Sequence, residues 1–170
     1  MTGRLLYLAL AAITLAVWAL MVGVTGPAIE TAAGGRALFD ARLTGYGLEE
    51  AQAFLTRLNP AGRDMYLEAQ HRLDTIFPPL FALFLVWSFT VLLPRLPAII
   101  MAVVAMAGAG VDLVENARVA ALLTAPQVTE AMVAAASQAT VAKWLLDGLA
   151  LAVFAGAVGF SALRRLRGAG

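Results

Sequence analysis

Long apolar runs alternate with short polar breaks along the chain, and the runs have the length of membrane spans. Leu5–Val24 holds Thr14 as its one polar side chain, and about 20 apolar residues suffice to cross a bilayer core of ~30 Å as a helix. Ile76–Leu93 (IFPPLFALFLVWSFTVLL), Ala98–Ala121 and Val141–Leu163 repeat the pattern. Pro78-Pro79 is placed in the first turn of the second run, where a missing N–H costs little, with Asp74 or Thr75 as its N-cap. Pro94-Arg95-Leu96-Pro97 reads as a tight turn back, and alanine-rich Glu130–Thr140 as a helical lead-in to the fourth run. Arg4 followed by an apolar run also fits a signal peptide, but signal cores are shorter, at about 7–15 residues. A retained helix is the expectation.

Thr25–Thr75 is the polar interval between the first two spans. Gly26-Pro27 is expected to stop the first helix, and Gly45-Tyr46-Gly47 to make a turn. Leu48, Ala51, Phe54, Leu55 and Leu58 recur at helical spacing and end at Asn59-Pro60, the pattern of a short amphipathic helix. Met65, Tyr66, Ala69 and Leu73 suggest a second one over Arg63–Leu73. A free linker would not carry such apolar faces, so this segment is expected to fold onto the membrane helices as a cap.

Composition agrees with this outline. The chain is 61% hydrophobic and 14% charged, where soluble domains run near 45–50% and about 25%. The expected fold is all-α: a single integral membrane domain over residues 1–170, a four-helix bundle with spans at about 5–24, 76–93, 98–121 and 141–163. A partly helical extracytoplasmic cap covers about 25–75. A net charge of +1 and the lack of a clustered basic patch point away from nucleic acid. The lack of cysteine excludes disulfides and thiolate sites. Arg4, Arg95 and the Arg164/Arg165/Arg167 cluster fall at one end of the bundle in short segments, which places both termini in the cytoplasm. Arg36, Arg42, Arg57, Arg63 and Arg72 in the cap equal them in number, so density decides. The expected location is a bacterial cytoplasmic membrane.

The third span changes the picture, because its second half carries Asp112, Glu115, Asn116 and Arg118. Asp112 lies 17 residues from Arg95, and Asp147 lies 17 residues from Arg164, so both sit roughly 25 Å from the arginine end at 1.5 Å per residue. Asp74, Asn116 and Lys143 share the next layer, each 21 residues from its reference arginine, with Glu115 beside them. Ala102, Ala105, Ala109, Asp112 and Asn116 follow one stripe of the third helix, and small residues mark close helix contacts in membranes. On the fourth helix Lys143 and Asp147 are i,i+4 neighbours, expected to form a salt bridge, next to a Gly148/Ala152/Gly156 ridge. Arg118 projects away from Asn116 and is expected to snorkel outward. Unpaired, Asp112, Glu115, Lys143 and Asp147 would cost on the order of 10 kcal/mol to insert, so they should neutralise one another.

The ligand-binding expectation is therefore Asp74, Asp112, Glu115, Asn116, Lys143 and Asp147. Helix-locking by the same groups, an N-cap role for Asp74 and a solvated interfacial His71 are the plainer readings. A metal reading would join His71 to Asp74, Asp112, Glu115 and Asp147. Carboxylate-rich four-helix metal sites usually pair each helical Glu with a histidine, and one histidine is too few, so no metal and no cofactor are expected. Phosphate loops, Ser-His-Asp order and nucleophile elbows are lacking.

Phe39-Asp40-x-Arg42 with Gly45-Tyr46, Gly62-Arg63 and Tyr66, Leu73-Asp74 with Phe77-Pro78, Asp112-x-x-Glu115-Asn116 and Lys143-Trp144 together resemble an uncharacterised family of bacterial four-helix membrane proteins. The resemblance spans most of the chain and implies the architecture; that family carries no established activity. A looser likeness to the emopamil-binding-protein and sigma-2-receptor superfamily rests on helix count and buried acids, and the long cap departs from it. Fold-level likeness does not carry function.

Three functions follow from this chemistry. A binding module would take a small amphipathic or lipid-like ligand from the bilayer, its polar or cationic part at Asp112 and Glu115. An enzyme would use Asp112, Glu115, Asp147 and Lys143 for acid–base work on a lipid or isoprenoid. A structural subunit would use the polar layer to lock helices and an unidentified protein partner.

Overall fold

The computed structural model describes residues 2–168, all of whose regular structure is helical. Helix α1 runs Thr2–Ala32, α2 Leu48–Arg57, α3 Pro60–Leu92, α4 Arg95–Thr124 and α5 Glu130–Arg167. Four of them, α1, α3, α4 and α5, are long and apolar enough to cross a membrane, which is the composition of an integral membrane helical bundle. Helix α4 lies between α3 and α5, and α1 packs on α3. Leucine, isoleucine and valine side chains cover the outer faces, as at Leu15, Val91, Val103 and Leu145, as a lipid solvent requires.

The two membrane helices that border the cap run further than the sequence indicates. Gly26-Pro27 does not stop α1. A π turn, Met21–Thr25, widens the helix just before Pro27, and Gly26 N–H donates to Met21 O. The widened turn accommodates the proline ring, whose clash would otherwise break the helix. Gly26 is required there, because a Cβ would lie 2.7 Å from the Met21 carbonyl oxygen. Likewise, Arg63–Leu73 is no separate helix: α3 starts at Pro60, passes through a second π turn, Tyr66–Gln70, and continues to Leu92. The two π turns are joined by the Thr25 hydroxyl, which donates to the Gln70 side-chain carbonyl. The cap between the long helices is thus residues 33–59, narrower than the 25–75 read from polarity.

Gly34 (φ 67°) and Gly35 (φ 80°) turn the chain out of α1. Asn59 then caps α3 by accepting from Gly62 N–H at 2.8 Å, while its own N–H closes the end of α1 on Ala32 O at 3.2 Å. Phe39, Phe54 and Tyr66 pack in a chain, the first pair tilted and the second edge to face, with centroids 4.7 and 6.2 Å apart, over Val119, Leu122, Leu123 and Val133 of α4 and α5. Arg63 donates to Leu123 O, satisfying a carbonyl in the last turn of α4. Near the arginine end a second core gathers Leu85, Phe89, Ala98, Met101, Ala105 and Ala150.

Candidate functional site

Pro78 lies inside α3, one turn after Asp74. It has no N–H, so the Asp74 carbonyl loses its helical partner. Asn116 of α4 replaces it: its Nδ2 donates to Asp74 O at 2.7 Å. Asp74 is therefore a mid-helix residue and not an N-cap, and Asn116 is occupied in holding a proline-broken helix to its neighbour.

Lys143 reaches across from α5 to α4. Its Nζ lies 3.5 Å from Asp112 Oδ1 and in direct contact with Glu115 Oε2. Glu115 is fully buried, and its other oxygen accepts from the Thr140 hydroxyl at 2.5 Å. The expected Lys143–Asp147 bridge within α5 is not formed: an i,i+4 pair on a helix surface is reachable, but two acids of α4 enclose the ammonium first. Asp147 instead presses its carboxylate against Gly108 of α4, where a Cβ would overlap Oδ1. Among the described residues, neither Asp74 nor Asp147 has an ion-pair partner.

The α4 stripe is as the spacing indicates: Ala105, Ala109, Asp112 and Asn116 are buried, and Ala102 is half-buried. The α5 ridge is not. Gly148, Ala152 and Gly156 are exposed, and the close approach of α4 and α5 uses Gly108 and Ala150. Arg118 is exposed and donates to Ala135 O at 2.6 Å.

The cap roofs this layer. Tyr46 N–H donates to Ser137 Oγ of α5 at 2.8 Å, and Trp144 Nε1 donates to Asp40 O at 2.8 Å. The Tyr66 hydroxyl donates to Asp40 Oδ1 at 2.8 Å. Gly45 (φ 81°) lets the turn descend, since a Cβ there would meet Ser137 Oγ at 2.5 Å. The Tyr46 side chain is buried over the Thr140–Glu115 pair, and burial holds its phenol well above the ordinary value of 10.0. Tyr46 therefore stays a neutral hydroxyl facing the acids. Beneath the cap, Asp40, Tyr66, His71, Asp74 and Asn116 line a cavity of about 10 Å³, the space of a single water.

Thr140, Tyr46, Asp40 and Gly108 complete the site without having been singled out as its members. Thr140 carries a usable signal, lying three residues before Lys143 on the same helix. Tyr46 and Asp40 carry none, because a loop does not declare where it lands. Among the described residues no set of three or more carboxylate and histidine side chains converges as a metal site, so His71, Asp74, Asp112, Glu115 and Asp147 do not form one.

Comparison with family models, curated proteins and solved structures gave no match. The four apolar helices agree with the architecture of a four-helix membrane protein, and no family assignment follows.

Proposed function

We propose that this is a polytopic membrane binding protein that takes the cationic group of a small amphipathic or lipid-like ligand into the acid layer under its cap. The carrying observation is the imbalance of charge. The single charge of Lys143 is shared by Asp112 and Glu115, and Asp74 and Asp147 have no basic partner among the described residues. A lone aspartate within a span costs about 2.5–3.5 kcal/mol to insert, and helix locking needs neither. A ligand ammonium would relieve that cost. Asp112, Glu115 and Lys143 then form the fixed wall of the site, Asn116 the brace, and Asp74 and Asp147 the receiving acids. The water-sized cavity makes admission depend on parting the cap residue Asp40 from Tyr66, which together close it. The cap faces outward and both termini lie in the cytoplasm of a bacterial cell, in keeping with the arginines at Arg4, Arg95 and Arg164–Arg167.

Native mass spectrometry of gently extracted protein tests this. A bound species carrying an amine, lost in the D74N/D147N double variant, supports it; protein that is always ligand-free and unresponsive to added amines opposes it. Close contact around Lys143 favours a second reading, an accessory subunit in which the acids lock helices. In that case D74N and D147N would reduce assembly with a partner and leave amine affinity nil throughout.

A further inference from the structure

A ligand-sized space lies among the described residues at the opposite end from the acids. A cleft of about 430 Å³ opens between α1, α3 and α5, lined by Arg4, Tyr7, Trp87, Ser88, Val91 and Val158. That volume falls within the ~300–1,000 Å³ of small-molecule sites. It exists because α1 leans on α3 and leaves a gap towards the last third of α5. Tyr7 and Trp87 pack edge to face at 5.7 Å, and both belong to the residue types that settle at a membrane interface.

The hydroxyl groups in the wall satisfy each other. Ser88 donates to Phe84 O at 2.7 Å, which leaves Tyr7 as the donor in the 2.9 Å Tyr7–Ser88 bond. Apart from the Trp87 indole N–H, which has no acceptor among the described residues, the walls therefore offer an occupant apolar surface. Arg4 is different: it is exposed at the mouth and has no carboxylate partner among the described residues. The lining contains no acid.

We infer that this cleft is a binding site for an anionic phospholipid of the arginine-side leaflet, one acyl chain lying between Tyr7, Trp87, Val91 and Val158 and the headgroup phosphate on Arg4. An apolar slot with a single unpartnered cation at its rim matches that molecule in both charge and shape. Arginine holds phosphate oxygens through its planar fork of N–H donors. A lipid seated here would fill the gap between α1 and α5 and tie the first helix to the bundle.

The test is lipid retention by native mass spectrometry, with the whole chain reconstituted in equal parts phosphatidylglycerol and phosphatidylcholine. Phosphatidylglycerol should be retained preferentially by at least about fivefold, the weight of one arginine near an anionic lipid surface. R4Q should abolish that preference and R4K keep part of it. V158W, which fills the slot from its exposed rim, should remove retention of both lipids, and unchanged melting in detergent establishes that it folds. Equal retention of the two lipids by wild type overturns the inference. So does a preference that survives R4Q and disappears when Arg164, Arg165 and Arg167 become glutamine, which would put the lipid on the tail. Retention unaffected by V158W overturns it as well.

Discussion

Asn116 donates its amide to the carbonyl of Asp74 at 2.7 Å, the one carbonyl that Pro78 leaves without a helical N–H. A side chain that looks like part of a binding set is thus required first by a proline on another helix. The same contact fixes the register of α3 against α4 at the height of the acids. Lys143 does the equivalent for α5 by gripping Asp112 and Glu115.

N116A should therefore destabilise the protein by about 1–3 kcal/mol, the cost of leaving a buried carbonyl unsatisfied. P78A gives the helix back its own donor. In a P78A background N116A should cost distinctly less. Unfolding in a mild detergent, read as a double-mutant cycle, measures the coupling; strict additivity would mean that Asn116 acts elsewhere.

K143M removes the cation and leaves two buried carboxylates facing each other. Breaking a buried ion pair from one side costs about 3–5 kcal/mol. The triple variant K143M/D112N/E115Q should recover most of that stability, because it removes the stranded charges. Thermal melting of the three proteins decides; a mild K143M phenotype would mean that the ammonium is not what balances Asp112 and Glu115.

G45A should loosen the cap and leave the spans in place. The left-handed conformation costs an L-residue about 1–2 kcal/mol, and the new Cβ would strike Ser137 Oγ. The cap should open roughly 5- to 30-fold more often. Limited trypsin cleavage at Arg42 and Arg57, timed against wild type, reads this directly. Equal cleavage rates would show that the turn is not what holds the cap.

Tyr46 supplies a pH dependence of defined sign. Its buried phenol titrates above the ordinary 10.0 in the folded state. Below pH 10 it is neutral, folded or unfolded, and contributes nothing. Above pH 10 the unfolded chain loses the proton while the folded chain keeps it, so stability falls as pH rises, by at most about 1.4 kcal/mol per pH unit. Y46F should flatten this limb of the stability profile. A limb unchanged in Y46F would place the phenol in solvent.

The spans are legible because an apolar run of helical length has few alternatives, and the meeting of Asn116 with Asp74 and of Lys143 with Glu115 follows from counting residues along neighbouring helices. What was hidden is non-local. Pro27 and Pro78 mark helix boundaries by local rules, yet a π turn relieves the first and Asn116 the second. Spacing along the helix pairs Lys143 with Asp147, but the ammonium reaches the interhelical acids Asp112 and Glu115 instead. The Gly148/Ala152/Gly156 ridge had the right spacing and faces outward, since small residues permit helix contact without compelling it. Tyr46 and Asp40 reach the site through loops, whose landing points follow from the finished fold.

The central claim, an acid layer that receives a ligand cation, is tested most directly by a matched ligand series. An alkylamine, the alcohol of equal chain length and the alkyl sulfate of equal chain length are titrated below their micelle-forming concentrations against protein in nonionic detergent, with melting as the readout. A saturable rise in melting temperature with the amine alone, abolished in D74N/D147N and retained in R4Q, is the expected result. Equal shifts from amine and alcohol, or an amine shift that survives D74N/D147N, would contradict it.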